Sequence, residues 1–133
     1  MIRQTINVNN YWEIIVYYNI DYNLFDYIAY DLYYKVSSPV EKIDEIYYNL
    51  KHKAKAVTVS SINNHISIVA FNIHKNKYDY INSIVHEAEH IKQAILRAYN
   101  VEDKGEPPAY TIGFIVMKML QSKVIKNVSI NNT

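Results

Sequence analysis

The residues best suited to chemistry are His86-Glu87-Ala88-Glu89-His90, within Ile81-Asn82-Ser83-Ile84-Val85-His86-Glu87-Ala88-Glu89-His90-Ile91-Lys92-Gln93-Ala94-Ile95-Leu96. Histidines four apart on a helix stand one above the other, so both imidazoles can point at one atom. That H-E-x-x-H spacing suits a single zinc ion, and a carboxylate just after the first histidine can take a proton from zinc-bound water. The chemistry expected is hydrolysis, with His86 and His90 as metal ligands and Glu87 as general base.

A helix must present these groups. Stepping about 100° per residue puts Ile81, Ile84, Val85, Ala88, Ile91, Ile95 and Ala98 on one side as a core stripe. Ser83, His86, Glu87, His90, Ala94 and Arg97 fall on a second strip. Its mixture of histidines, a carboxylate and small residues is what a cleft wall carries. A catalytic zinc needs a third protein ligand. The next carboxylates are Glu102, Asp103 and Glu106. The first two fall in a polar loop over residues 100–105. Glu106 opens a helix fixed by Pro107 and Pro108, whose missing N–H groups cost nothing in a first turn. A loop of about six residues at ~3.3 Å each is long enough to bring Glu106 back to the histidines. Tyr110, one turn on, is a candidate for oxyanion stabilisation, with helix packing as its plainer role. Ala109, Gly113, Val116 and Leu120 predict a narrow stripe allowing close approach to the motif helix. His52, His65 and His74 are expected at the surface, and Arg97 is expected to be solvated or ion-paired.

The remaining sequence supplies a scaffold. Its 133 residues predict one domain with polar N- and C-terminal extensions. Tyr11–Tyr18 is aromatic and β-branched, which predicts a strand, with at most one more short strand before it. Helices are expected over residues 22–35, capped by Asp21, and from Ser38-Pro39 to about residue 50. Ala56–Ser60 and Ile66–Ile73 predict an antiparallel hairpin turning at Asn63-Asn64. The motif helix is expected over 78–99 and a last helix over 106–125, followed by a frayed polar tail. The 14 tyrosines, against 3 phenylalanines, predict half-buried packing with wet hydroxyls. The absence of cysteine excludes thiolate ligands and disulfides. A net charge of +1 without a Lys/Arg run gives no nucleic-acid footprint. No apolar run is long enough to span a membrane, and the first residues lack a secretory pattern.

His86-Glu87-Ala88-Glu89-His90 followed by Gly105-Glu106-Pro107-Pro108-Ala109-Tyr110-Thr111-Ile112-Gly113-Phe114-Ile115 resembles the short zinc-metallopeptidase-like proteins of tailed bacteriophages. These are minimal gluzincins with a later Glu-x-x-Ala-Tyr helix. The resemblance covers about residues 66–120. It implies His86, His90 and Glu106 as ligands of Zn2+, and Glu87 as catalytic base. It implies an α+β, zincin-like fold: a small antiparallel or mixed sheet of about three strands packed against about four helices. The strand before the motif helix would border the substrate groove. Two functions follow as expectations: a phage-encoded metallopeptidase acting on a protein or peptide, or a non-proteolytic virion assembly protein contacting other phage structural proteins or its own copies. Either places the chain in the host cytoplasm or the virion.

Overall fold

The computed structural model describes residues 1–128. The chain runs β1 (Ile2–Val8), β2 (Trp12–Tyr18), a 3-10 turn (Tyr22–Leu24), α1 (Phe25–Tyr34) and α2 (Val40–His52). It continues through β3 (Ala56–Ser61), β4 (Ile66–Phe71), α3 (Lys77–Ala98), α4 (Glu106–Leu120) and α5 (Lys123–Lys126). The class is α+β as expected, with a four-stranded mixed sheet in the order β1-β2-β4-β3. β1 joins β2 and β3 joins β4 antiparallel, whereas β2 and β4 run parallel. The added strand is β1, full length because Asn9 and Asn10 take the left-handed conformation and turn the chain back onto β2.

Period-two alternation sorts the sheet's side chains into two cores. Ile15 and Tyr17 of β2, with Ile66, Ile68 and Ala70 of β4, face α1 and α2, where Phe25, Ile28, Leu32, Ile43, Ile46 and Leu50 meet them. Ile14, Val16 and Tyr18 face the other way with Val69 and Phe71, under Ile84, Ala88, Ile91 and Ile95 of α3 and Ile115 and Met119 of α4. The molecule is therefore a helix–sheet–helix sandwich. Burial on both faces explains the nearly unbroken apolar run in β2.

Several local expectations shift by a turn. Asp21 caps the 3-10 turn by accepting from the Asn23 N–H, so α1 starts three residues later than the cap predicts. Pro39 occupies the N-cap of α2, not its first turn. In the β3–β4 turn His65 takes the left-handed residue's place. The last helix stops at Leu120, and Ser122 caps the short α5. Most of the polar tail expected to fray, residues 129–133, lies outside the described residues.

The tyrosines divide. Tyr27, Tyr30, Tyr33 and Tyr34 of α1 are exposed, but Tyr17, Tyr18 and Tyr80 are fully covered. Their hydroxyls are bonded to protein rather than wet. Tyr17 donates to Asp31 Oδ2 at 2.5 Å, Tyr18 to Gln4 Oε1, and Tyr80 to Asn19 Oδ1 at 2.7 Å. Burial pushes the phenols of Tyr17 and Tyr80 up to about 12, and that of Tyr18 higher still. Phenols raised in the folded state keep their stabilising effect below pH ~10, the unfolded value, and lose it as pH climbs through the folded values. Urea denaturation midpoints are therefore expected to be flat across neutral pH and to fall steeply between pH 10 and about 12. Phenolate absorbance in the same interval should report these three tyrosines as the last to ionise.

Candidate metal and peptide site

Where α3 faces β3 is decided by its buried stripe. With Ile84, Ala88 and Ile91 fully covered by the sheet, Glu87 and Ala94 turn toward β3 and stay buried. His86, His90 and Arg97 come to the open side of the same strip. Together with Ala56, Thr58 and Ser60 of β3 they wall a cleft of about 380 Å³. The strip anticipated from helical geometry is thus a cleft wall. The opposing wall differs from expectation: it is β3, at the sheet's edge, while β4 lies inside the sheet.

The β3 edge is open along the cleft. The Asn72 N–H donates to Lys55 O at 2.9 Å, one step beyond the Ala56–Phe71 pair. Antiparallel ladders alternate bonded and non-bonded pairs, so Ala56, Thr58 and Ser60 turn their N–H and C=O groups away from β4. Their side chains face α3, whereas Val57 and Val59 pack on the α1–α2 core.

His86 and His90 place their Nε2 atoms 3.3 Å apart, one ring donating to the other. Two imidazoles at ~2.0–2.1 Å from one tetrahedral zinc would hold their nitrogens about 3.3 Å apart. The pair therefore fits two positions of such an ion. Glu87 is 5% exposed. Thr58 Oγ1 donates to its Oε1 at 2.9 Å, and its Oε2 lies 3.8 Å from His86 Nε2. One carboxylate oxygen is thus anchored to the sheet and the other lies beside the histidines.

Glu106 does not join them. Among the described residues no group of three or more His, Asp or Glu side chains is disposed to hold a metal ion. α4 packs along the other flank of α3 through Ile115 and Met119. Val85, expected in the core stripe, is 45% exposed and lines an apolar groove with Ile112 and Val116, while Pro107 and Thr111 border a second groove with Leu96 and Tyr99. Glu106 is exposed there, accepting a long 3.4 Å bond from Tyr110. Tyr110 is 71% exposed and borders a depression with Val8, Tyr11 and Phe114, not the cleft. Nor does Gly113 mediate close helix approach. It is exposed, a Cβ added there would meet no atom within 4 Å, and the buried face of α4 is Pro108, Ile115 and Met119. Asp103 is taken by Lys92 at 3.0 Å, which also holds Glu89 at 2.8 Å.

His74 corrects another expectation. It is half-buried, stacked on Tyr80, with Nδ1 2.6 Å from Asn72 O and Nε2 2.7 Å from Ser83 Oγ. Because a carbonyl only accepts, Nδ1 carries the proton and the Ser83 hydroxyl donates to Nε2. Burial lowers the pKa of this imidazole. His74 thereby ties the β4–α3 connection to α3 one turn before Glu87.

Sequence reasoning passed over Thr58. The available signal was the alternation Ala56-Val57-Thr58-Val59-Ser60, which separates β-branched apolar residues from small and hydroxylated ones. Compared with known proteins, the chain matches no family model, no curated protein and no solved structure.

Two outcomes follow from this geometry. Thr58→Val removes the donor to a buried carboxylate and should cost about 1–3 kcal/mol in urea denaturation, with Thr58→Ser recovering most of it. In zinc titrations followed by calorimetry, His86→Ala and His90→Ala should each weaken binding at least about tenfold. Glu106→Ala should bind zinc as wild type does.

Proposed function

We propose that this chain is a small zinc-dependent hydrolase of peptide bonds, acting on a segment that lies extended in the cleft between α3 and β3. One observation carries the reading: a buried carboxylate, Glu87, is held by Thr58 directly beside a histidine pair spaced for one metal ion. His86 and His90 would hold zinc, which when bound makes water acidic enough to be deprotonated near neutral pH and polarises a carbonyl. The chain's own residues supply the rest. Glu87 takes the proton from the attacking water on Oε2 while Thr58 fixes Oε1, so the carboxylate keeps its aim through the transfer. The outward N–H and C=O groups of Ala56, Thr58 and Ser60 can pair with an extended peptide, which aligns a scissile bond along the strip. The reading departs from the gluzincin pattern at one point: among the described residues Glu106 stands apart, so the third protein ligand of that pattern is not assembled beside the histidine pair.

A second reading has its own support. Tyr27, Tyr30, Tyr33 and Tyr34 make α1 an exposed aromatic face, and tyrosine is enriched where proteins meet. An assembly protein of a phage particle, contacting structural proteins or its own copies, would use such a face and need no turnover. On the resemblance to phage proteins, we propose the host cytoplasm or the virion as the location for either role.

Glu87→Gln keeps the size of the side chain and its bond to Thr58 but removes the base. Zinc content should be unchanged and cleavage of a quenched peptide library should drop at least about a hundredfold. Equal cleavage by the variant would sink the mechanism. Zinc-loaded wild type that forms rings or larger assemblies and cuts nothing would favour the second reading.

A further inference from the structure

Arg97 closes the cleft at the end away from α3's start. It sits on the same strip as the histidines, seven residues beyond His90, which is about 10.5 Å along a helix rising 1.5 Å per residue. It is exposed and, among the described residues, makes no ion pair, in keeping with the solvated side chain expected, but it lines the cleft. The carboxylates nearest it in the sequence are committed elsewhere, Glu102 to Lys104 at 2.9 Å. Glu89 accepts from Lys92 at 2.8 Å and from Gln93 at 3.2 Å, and Asp103 is held by the same lysine. Glu87 is anchored by Thr58. Beyond Glu87 the cleft therefore carries one sign of charge, in the form of a planar fork suited to a carboxylate.

The direction of the cleft is also fixed. Tyr99, just past the end of α3, places its hydroxyl 3.2 Å from His65 Nδ1 in the β3–β4 turn. α3 thus runs alongside β3 in the same sense: Thr58 stands against Glu87, and Ser60 lies further toward Arg97. A peptide extended along β3 advances ~3.3 Å per residue, so about three residues cover the distance from His90 to Arg97.

We propose that Arg97 selects acidic peptides, pairing with a carboxylate about three residues from the position of His90. It rests on the hydrolase reading for the place of the scissile bond, but the recognition of the carboxylate stands on the cleft alone. The carboxylate is either an Asp or Glu side chain or the peptide's own C-terminus.

The test uses zinc-loaded full-length protein and dye-labelled extended peptides read by fluorescence polarisation. One set has amidated ends and Glu, Gln or Lys at a single scanned position. A second set lacks acidic residues and ends at that position in either a free carboxylate or an amide. Wild type should bind the Glu peptide about tenfold more tightly than the Gln peptide, the usual size of one charge-assisted contact. Arg97→Lys should keep part of that ratio and Arg97→Glu should invert it toward the Lys peptide, with circular dichroism unchanged. A gain on the free carboxylate set instead assigns Arg97 to the chain terminus. Equal affinities in both sets, no binding of any peptide, or a preference that survives in Arg97→Glu each overturn the proposal. Cleavage of the same peptides is read in parallel. Charge-selective binding without zinc-dependent cleavage overturns the hydrolase reading and leaves Arg97 its role, whereas cleavage without charge selection does the reverse.

Discussion

The rotation of α3 about its own axis is the constraint on which the site depends. Ile84, Ala88 and Ile91 are fully buried in the core that α3 shares with β2 and β4. A helix seated by such a stripe cannot turn without exposing several apolar side chains, each worth ~1.5–3 kcal/mol of burial. Once that stripe is seated, the 3.6-residue repeat leaves no freedom for the remainder. Glu87 must face β3, His86 and His90 must flank it on the open side, and Val85 must face α4.

The buried carboxylate is the costly element of this arrangement. A charged group this covered is tolerated when it is hydrogen-bonded, and Thr58 supplies that bond from the sheet. The same contact ties the helix carrying the histidines to the strand that forms the opposite wall. The proposed recognition and chemistry would thus be coupled through one side chain: whatever shifts β3 also shifts the carboxylate. His74 acts at the preceding turn, joining the β4–α3 connection to Ser83, so both ends of the cleft's helical wall are tied to the sheet layer, the far end through Tyr99 and His65.

An unpaired edge strand is ordinarily a hazard, because its free N–H and C=O groups invite pairing with other chains. Here the outward groups of Ala56, Thr58 and Ser60 open onto the cleft rather than onto flat solvent, with α3 covering one side of the strand. That partial cover suits one extended segment better than a stack of strands. The other sheet edge, β1, is tied to α4 by Gln4, whose side-chain amide donates to Lys118 O at 3.1 Å. The two edges are therefore treated differently, and the β3 edge lies beside His86, Glu87 and His90.

Periodicity alone determined much of this protein. The alternation in β2, β3 and β4 and the stripe on α3 depend on local geometry, and so does the strip that carries His86, Glu87 and His90. All of these were legible because neighbours in sequence are neighbours on the element. The fourth strand was less legible, since β1 is polar on its outer face and is recruited by pairing with β2. Which elements stand opposite one another was not local at all. The flank of α3 taken by α4 depends on Ile115 and Met119 packing into the core with Ile84, Ala88 and Ile91, and that choice carries Glu106 and Tyr110 away from the histidines. The strand facing Glu87 depends on sheet order, which puts β3 at the edge and makes Thr58 its partner. The angular position of each group on its helix was written in the sequence; only tertiary packing decided what that angle looks upon, because contacts distant in sequence leave no periodic trace.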